Sequence, residues 1–585
     1  MFSKTIIAAL SALAVAGSVA ADDLVDSQIV NDPYPYHFPK LGTEGSKLFP
    51  MKDCMGFKLE EASIDDIQKQ YKNGTFTTVE LVTCYLDRIV QTQQYLNAIL
   101  QLNPDVLKIA QAIDDERKTG KDRGPLYGIP FIVKDNFATK DRMETTAGTW
   151  ALVGNVVPRD AHTVHQLRKA GAVLVGKAAL SEWADMRSTN YSEGFTARGG
   201  QCRSAYNLTV NPGGSSSGSG VGVGANLIPF ALGTETDGSV INPAQRNSIV
   251  GIKPTVGLTS RDGVIPESSH QDTVGAFGKT VRDAVYALDA IYGIDKRDNQ
   301  TFTQQGKTPE KGYAQYLTDK SALKGAKFGI PWESFWKYAP AGQMEGLLEL
   351  LDIIRDAGAE IINGTELPHY KTIVSPNGWD WDYANTRAGL KNESEFSYIK
   401  VDFYNNLKKY LSTVENTNVK TVDDVVKYNK DNYGANGGFP GIHPAFGSGQ
   451  DSLEQSLASK GKMDDTYWSA LHYCQKVTRE EGIDAALNYN GTQLDGLLTP
   501  PDVAQSIQIA AQAGYPVITV PAGVDKKTGG GMPFGLAIMN TAYSEAKLIK
   551  YASAIEDLQK HTETQWKRQL PEWRGYLVRN LPVIM

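Results

Sequence analysis

Between Asn211 and Ser239 the chain reads NPGGSSSGSGVGVGANLIPFALGTETDGS. Ser215, Ser216 and Ser217 stand among glycines near its start, and Ser239 closes it after Thr-Glu-Thr-Asp-Gly. A serine hydroxyl attacks a carbonyl only when a base takes its proton. The stretch therefore poses two questions: which serine reacts, and with which base. Lys134 stands at the end of the apolar run GIPFIV. Burial there would lower its pKa from about 10.4 and leave a neutral amine able to accept a proton. By composition alone Lys177 and Lys253 are equally eligible. Consecutive main-chain N–H groups after Gly233 can point at one oxygen and stabilise a developing oxyanion.

Generic motifs fit this stretch poorly. Gly220-x-Gly222-x-x-Ala225 is a loose dinucleotide fingerprint, but Asn-Pro-Gly-Gly and serines precede it where a strand is required. The Gly-Lys-Ser/Thr ending of a phosphate-binding loop is missing. Gly214 to Gly218 matches G-x-S-x-G, which would make Ser216 the nucleophile of an α/β-hydrolase esterase with a downstream histidine as base. That elbow needs an apolar strand just before it, and SAYNLTVNPGG does not supply one.

The longer segment Gly213 to Thr255, GGSSSGSGVGVGANLIPFALGTETDGSVINPAQRNSIVGIKPT, resembles the signature of the amidase signature family. The resemblance continues through YGIPFIVKDN, TTAGTWAL, HQDTVGAFGKTVRDA and AGYPVITVPAG, and covers roughly residues 56 to 570. It implies one large α/β domain, a mixed sheet covered by helices on both sides, and an amidohydrolase needing no cofactor or metal. In the roles it implies, Ser239 is the nucleophile, Ser215 on a cis peptide the proton relay, and Lys134 the base. The N–H groups of Thr236, Asp237, Gly238 and Ser239 would form the oxyanion hole, with Gly214 and Ser216 supporting the loop. Many members read G-T-D-x-G-G-S followed by Ile/Val-Arg. Here Glu235, Asp237 and Ile241 depart from that pattern, and a structural Asp–Arg pair common in the family is absent. The T-E-T-D-G-S form, with KPTVGL and QDT, is similar to the branch containing bacterial peptide amidase.

The expected partner is a small-molecule or peptide amide, its identity open, with Gly434 to Gln450 among the loops that select it. A second reading is the amidase subunit of a transamidation complex that passes ammonia to a partner. Ammonia release by the isolated chain separates the two.

The elements that must position these residues show as alternating helix and strand signals. Thr77-x-x-Glu80 opens an amphipathic helix carrying Leu81, Val82, Tyr85, Leu86 and Ile89. Asp160 is expected to cap a helix ending near Gly171. Tyr127–Asn136, Ala172–Lys177, DGLLTPP and YPVITVPAG read as buried strands. The alternation predicts an α/β sheet, with the more polar residues 296–460 decorating it.

Across 585 residues the net charge is −7, 41% of residues are apolar and 21% charged. That composition suits a globular chain and offers no basic surface for nucleic acid. Lys4, the apolar Ile6–Ala16 and the small residues through Ala21 read as a signal peptide over 1–20, too short to insert stably as a membrane span. Residues 21–55 then form an N-terminal extension and 56–585 the amidase domain. Export agrees with seven N-x-Ser/Thr sequons, at Asn73, Asn190, Asn207, Asn299, Asn363, Asn392 and Asn490, and predicts a secreted glycoprotein. Cys54, Cys84, Cys202 and Cys474 allow three complete pairings, among which the sequence does not choose.

Overall fold

The computed structural model describes residues 49–373, 390–436, 443–527 and 530–575. The segment expected to be a signal peptide, most of the expected N-terminal extension and part of the Gly434–Gln450 loop lie outside the described residues.

Eleven strands form one sheet. In chain order they are β1 (Ile99–Leu102), β2 (Pro130–Lys134), β3 (Val173–Ala178), β4 (Phe230–Glu235), β5 (Val250–Lys253), β6 (Thr273–Gly278), β7 (Lys327–Ile330), β8 (Glu360–Asn363), β9 (Gly496–Thr499), β10 (Val517–Asp525) and β11 (Met532–Met539). Their spatial order is β1-β3-β2-β4-β6-β5-β10-β11-β9-β7-β8. The sheet is mixed: β3, β2 and β4 run parallel, as do β9, β7 and β8, while β6, β5, β10 and β11 pair antiparallel.

Strand β2 shows why this segment is continuously apolar. All five of its residues are buried, because successive side chains point to opposite faces and helices cover both. Phe131 and Val133 join Phe230 and Leu232 in a cluster with Ile64, Ile67 and Tyr71 of α1 (Ile64–Asn73) and Leu81 and Tyr85 of α2 (Thr78–Leu96). Ile132 and Ala231 face the other way, toward Val221 and Val223 of α3 (Ser217–Gly224). The glycines of α3 allow it to lie against the sheet: a Cβ on Gly218 would come within 2.3 Å of Ala179 N and Ala98 O. Three further helices approach the site: α4 (Ile241–Arg246), α5 (Phe396–Leu411) and α6 (Ala504–Ala513).

The capping box at Thr77 and Glu80 forms, with bonds of 3.2 and 2.7 Å. Asp160 does not cap its helix. That helix runs His162–Lys169 with Ala161 at its N-cap, while Asp160 accepts the Lys140 N–H at 2.7 Å and pairs with Arg168. Residues 296–460 do more than decorate, since β7 and β8 come from them. Cys54 and Cys84 form a disulfide with Cα atoms 5.8 Å apart, and Cys202 and Cys474 are buried thiols. Of the sequons, Asn207 is 8% exposed and its side-chain amide donates to Gly530 O, whereas the other six asparagines are exposed. Among the described residues no helix is long and apolar enough to cross a membrane.

Candidate active site

Parallel pairing of β2 with β4, in register from Phe131↔Phe230 to Val133↔Leu232, brings Lys134 beside Thr234 where the two strands end. Lys134 Nζ lies 2.7 Å from Ser215 Oγ, and Ser215 Oγ lies 2.8 Å from Ser239 Oγ. Residues 134, 215 and 239 thus form one line of polar contacts. Lys134 and Ser215 have no exposure and Ser239 has 3%. The Gly214–Ser215 peptide is cis. The remaining contacts of Nζ are to Thr234 Oγ1 at 2.9 Å and Thr234 O at 3.4 Å. A neutral amine has two N–H bonds and one lone pair. The two N–H bonds match the Thr234 oxygens, and the lone pair is left for a proton from Ser215.

Burial lowers the Lys134 pKa to about 8, against the opposing pull of Glu267, Asp185, Glu193 and Asp272. Burial alone does not single out this lysine, because Lys177 and Lys253 are also pushed down to about 8. Position does. Lys177 bonds to Phe137 O and Thr145 Oγ1, at 2.6 and 2.9 Å, and Lys253 bonds to Tyr515 O at 2.5 Å.

Ser216 faces away from the line of contacts. Its Oγ donates to Thr234 O at 3.1 Å and accepts the Thr234 N–H at 3.3 Å. It therefore fixes the residue that holds Lys134, and this use of its hydroxyl is incompatible with a nucleophile elbow.

Thr236, Asp237, Gly238 and Ser239 line a cleft of about 350 Å³, with Gly214 at its edge. Among the described residues no histidine lines it. The departures from the family pattern are accommodated locally. The Glu235 carboxylate accepts the N–H groups of Val240 and Ile241 at 2.8 and 3.0 Å. Burial raises its pKa, and the Lys253 ammonium opposes that rise. Glu235 thus holds the turn after Ser239 through the Val240 and Ile241 main chain.

The cleft also contains residues that sequence reasoning missed: Asp185, Glu193, Asn242, Arg246 and Glu267. Glu193 accepts from Ser181 Oγ at 2.7 Å, and Asn242 Oδ1 accepts the Gly214 N–H at 3.2 Å. Each lies in a loop or short helix whose local pattern carries no signal. Thr234 is a residue the pattern could have found, since the end of a strand parallel to β2 must meet Lys134. The described part of Gly434–Gln450 packs behind the cleft wall, with Ala445 O accepting the Ser192 N–H at 2.9 Å.

Residues 80–434 match the Amidase family model. The chain is similar to a provisionally named amidase of Schizosaccharomyces pombe, 53% identical over 96% of this chain and 94% of the relative. Among solved structures it is similar to the native peptide amidase of Stenotrophomonas maltophilia, with a TM-score of 0.76 and 37% identity over 87% of this chain and 98% of that one. One component of a glutamyl-tRNA(Gln) amidotransferase, from Alkaliphilus metalliredigens, is 29% identical over 85% of this chain and 96% of its own length.

Proposed function

From the premise that the chain belongs to the amidase signature family and is an amidase, we propose that it is a secreted serine amidohydrolase using Ser239, Ser215 and Lys134. The observation that carries this reading is the unbroken line of contacts from Lys134 Nζ through Ser215 Oγ to Ser239 Oγ.

With Lys134 neutral, Ser239 Oγ attacks the amide carbonyl carbon. Its proton passes to Ser215 Oγ as the Ser215 proton passes to Lys134 Nζ. The carbonyl oxygen becomes an oxyanion facing the main chain of residues 236–239. Reversal of the relay delivers a proton to the amide nitrogen, the C–N bond breaks, and ammonia or an amine leaves an acyl-Ser239 ester. Water enters by the same base catalysis, and the ester is released as a carboxylate. A cleft of about 350 Å³ fits a small amide or the amidated end of a peptide, in keeping with the peptide amidase resemblance. A fluorophosphonate probe is expected to label Ser239, and mass spectrometry that finds the label on Ser216 refutes the assignment.

Export is supported by the N-terminal pattern, the Cys54–Cys84 disulfide and the six exposed sequons; disulfides persist in oxidising compartments. Protein recovered from culture medium is expected to begin near Ala21 or Asp22. Recovery of a chain still beginning at Met1 overturns this.

A further inference from the structure

Asp237 is one of the four residues read above as the oxyanion loop, and its side chain has an unusual environment. Both carboxyl oxygens are shielded from solvent, and among the described residues no amide, hydroxyl or cationic group reaches them. The side chain that acts on it most strongly is another buried carboxyl, that of Glu395.

Glu395 stands at the N-cap of α5 and is 1% exposed. Its own carboxylate is well supplied with donors: Gln271 Nε2 at 2.8 Å, Gln508 Nε2 at 2.9 Å and Gln512 Nε2 at 3.0 Å. Two carboxyls in buried contact cannot both ionise, and donors favour the charged form of whichever group they reach. Three amides favour a charged Glu395, whereas no such donor favours a charged Asp237. Burial, followed by the Glu395 and Glu235 charges, pushes the Asp237 pKa well above the usual carboxylate range.

The same network grips the loop at a second point. Gln271 Nε2 also donates to Thr236 O at 3.0 Å, and Tyr398 of α5 donates to Gln271 Oε1. Gln508 and Gln512 lie on α6, the helix that places Ile507 beside Gly238.

We propose that Asp237 is held as the neutral acid, donating its proton to the Glu395 carboxylate, and that this bond fixes the oxyanion loop, making Asp237 and Glu395 positioning residues for the attack at Ser239. The proposal rests on the reading of Ser239 as nucleophile.

The test measures fluorophosphonate labelling of the purified full chain, separating the maximal labelling rate from the probe concentration for half-saturation. Asp237→Asn keeps an N–H donor toward Glu395 and is expected to label within about threefold of the wild type. Asp237→Ala and Glu395→Ala are expected to lose about tenfold of the maximal rate with little change in half-saturation. That is less than the roughly 10²–10³ that loss of an oxyanion donor costs. Asp237→Asn labelling as slowly as Asp237→Ala overturns the proposal, as does wild-type labelling by Asp237→Ala. If Asp237→Ala fails to fold, Asp237→Asn with Glu395→Ala still decides it. Labelling of the wild type at a residue other than Ser239 overturns the underlying reading and the proposal with it; slow labelling of Asp237→Ala and Glu395→Ala at Ser239, with Asp237→Asn near the wild type, supports both.

Discussion

Replacement of Lys134 by arginine tests the mechanism most sharply. The structure gives the amine three contacts within 3.4 Å and a pKa near 8, lowered from its ordinary 10.5 by burial. The proton-accepting form is the neutral one, present above that pKa and lost below it. About a tenth of the enzyme has a neutral Lys134 at pH 7, about half at pH 8 and about nine-tenths at pH 9, from the ordinary titration relation. Turnover should therefore rise about tenfold between pH 7 and pH 9 and stay high on the alkaline side. A guanidinium keeps its positive charge throughout this range. Lys134→Arg is expected to lose about 10²–10⁴ of kcat, the usual contribution of a positioned general base, on the alkaline side where wild-type turnover is highest, and to show no rise with pH. The assay follows ammonia release from an amide substrate between pH 6 and 10, with circular dichroism to confirm folding. A flat wild-type profile, or an arginine variant retaining more than a tenth of kcat, refutes the reasoning.

Two further outcomes follow from other parts of the molecule. A Cβ on Gly214 would lie 1.7 Å from Glu193 Oε2 and 2.7 Å from Ser181 Oγ. Gly214→Ala should displace Ser215 and lower kcat about 10²-fold, the scale expected for misplacement by about 1 Å, with an unchanged far-ultraviolet spectrum; wild-type kcat would contradict this. The Cys54–Cys84 link spans 30 residues, so Cys84→Ser should lower stability by about 3–4 kcal/mol, and a urea midpoint equal to that of the wild type would show that the link does not stabilise the fold.

The parts of the site legible in the sequence are those that local pattern controls. Local pattern places Lys134 at the end of an apolar strand and the serines in a glycine-rich stretch, but it leaves Lys177 and Lys253 equally eligible as the base, and the choice of Lys134, Ser215 and Ser239 comes from the resemblance of the longer segment to the family. Glu395 and Glu193 reach the site from distant segments, and nothing in their neighbouring residues marks them. Asp160 shows the opposite failure. An aspartate before a helix reads as a cap, but the Lys140 N–H and the Arg168 guanidinium compete for it and win. Strand β8 escapes the pattern because it lies at the end of the sheet. The terminal strand β8 is exposed at both ends and half-buried between them, so it needs no apolar run. The Glu235 and Ile241 departures are visible in the sequence, but the use of the Glu235 carboxylate to accept the Val240 and Ile241 N–H groups is not, because it depends on how the chain turns after Ser239.

The strand order also governs when the molecule can be completed during its synthesis. Strands β1 to β6 come from the first half of the chain and lie together on one side of the sheet. Strands β7 and β8 are made next, yet they reach the first group only across β9, β11 and β10. A nascent chain carrying residues up to Asn363 thus exposes the unpaired edge of β5 and an isolated pair of short parallel strands, and neither finds its permanent neighbour until later strands have emerged, the last ending at Met539. Open strand edges recruit other chains, and pairings distant in sequence form slowly. The half-made protein is the state most vulnerable to aggregation, and its protection must last until the final two strands are inserted at the centre.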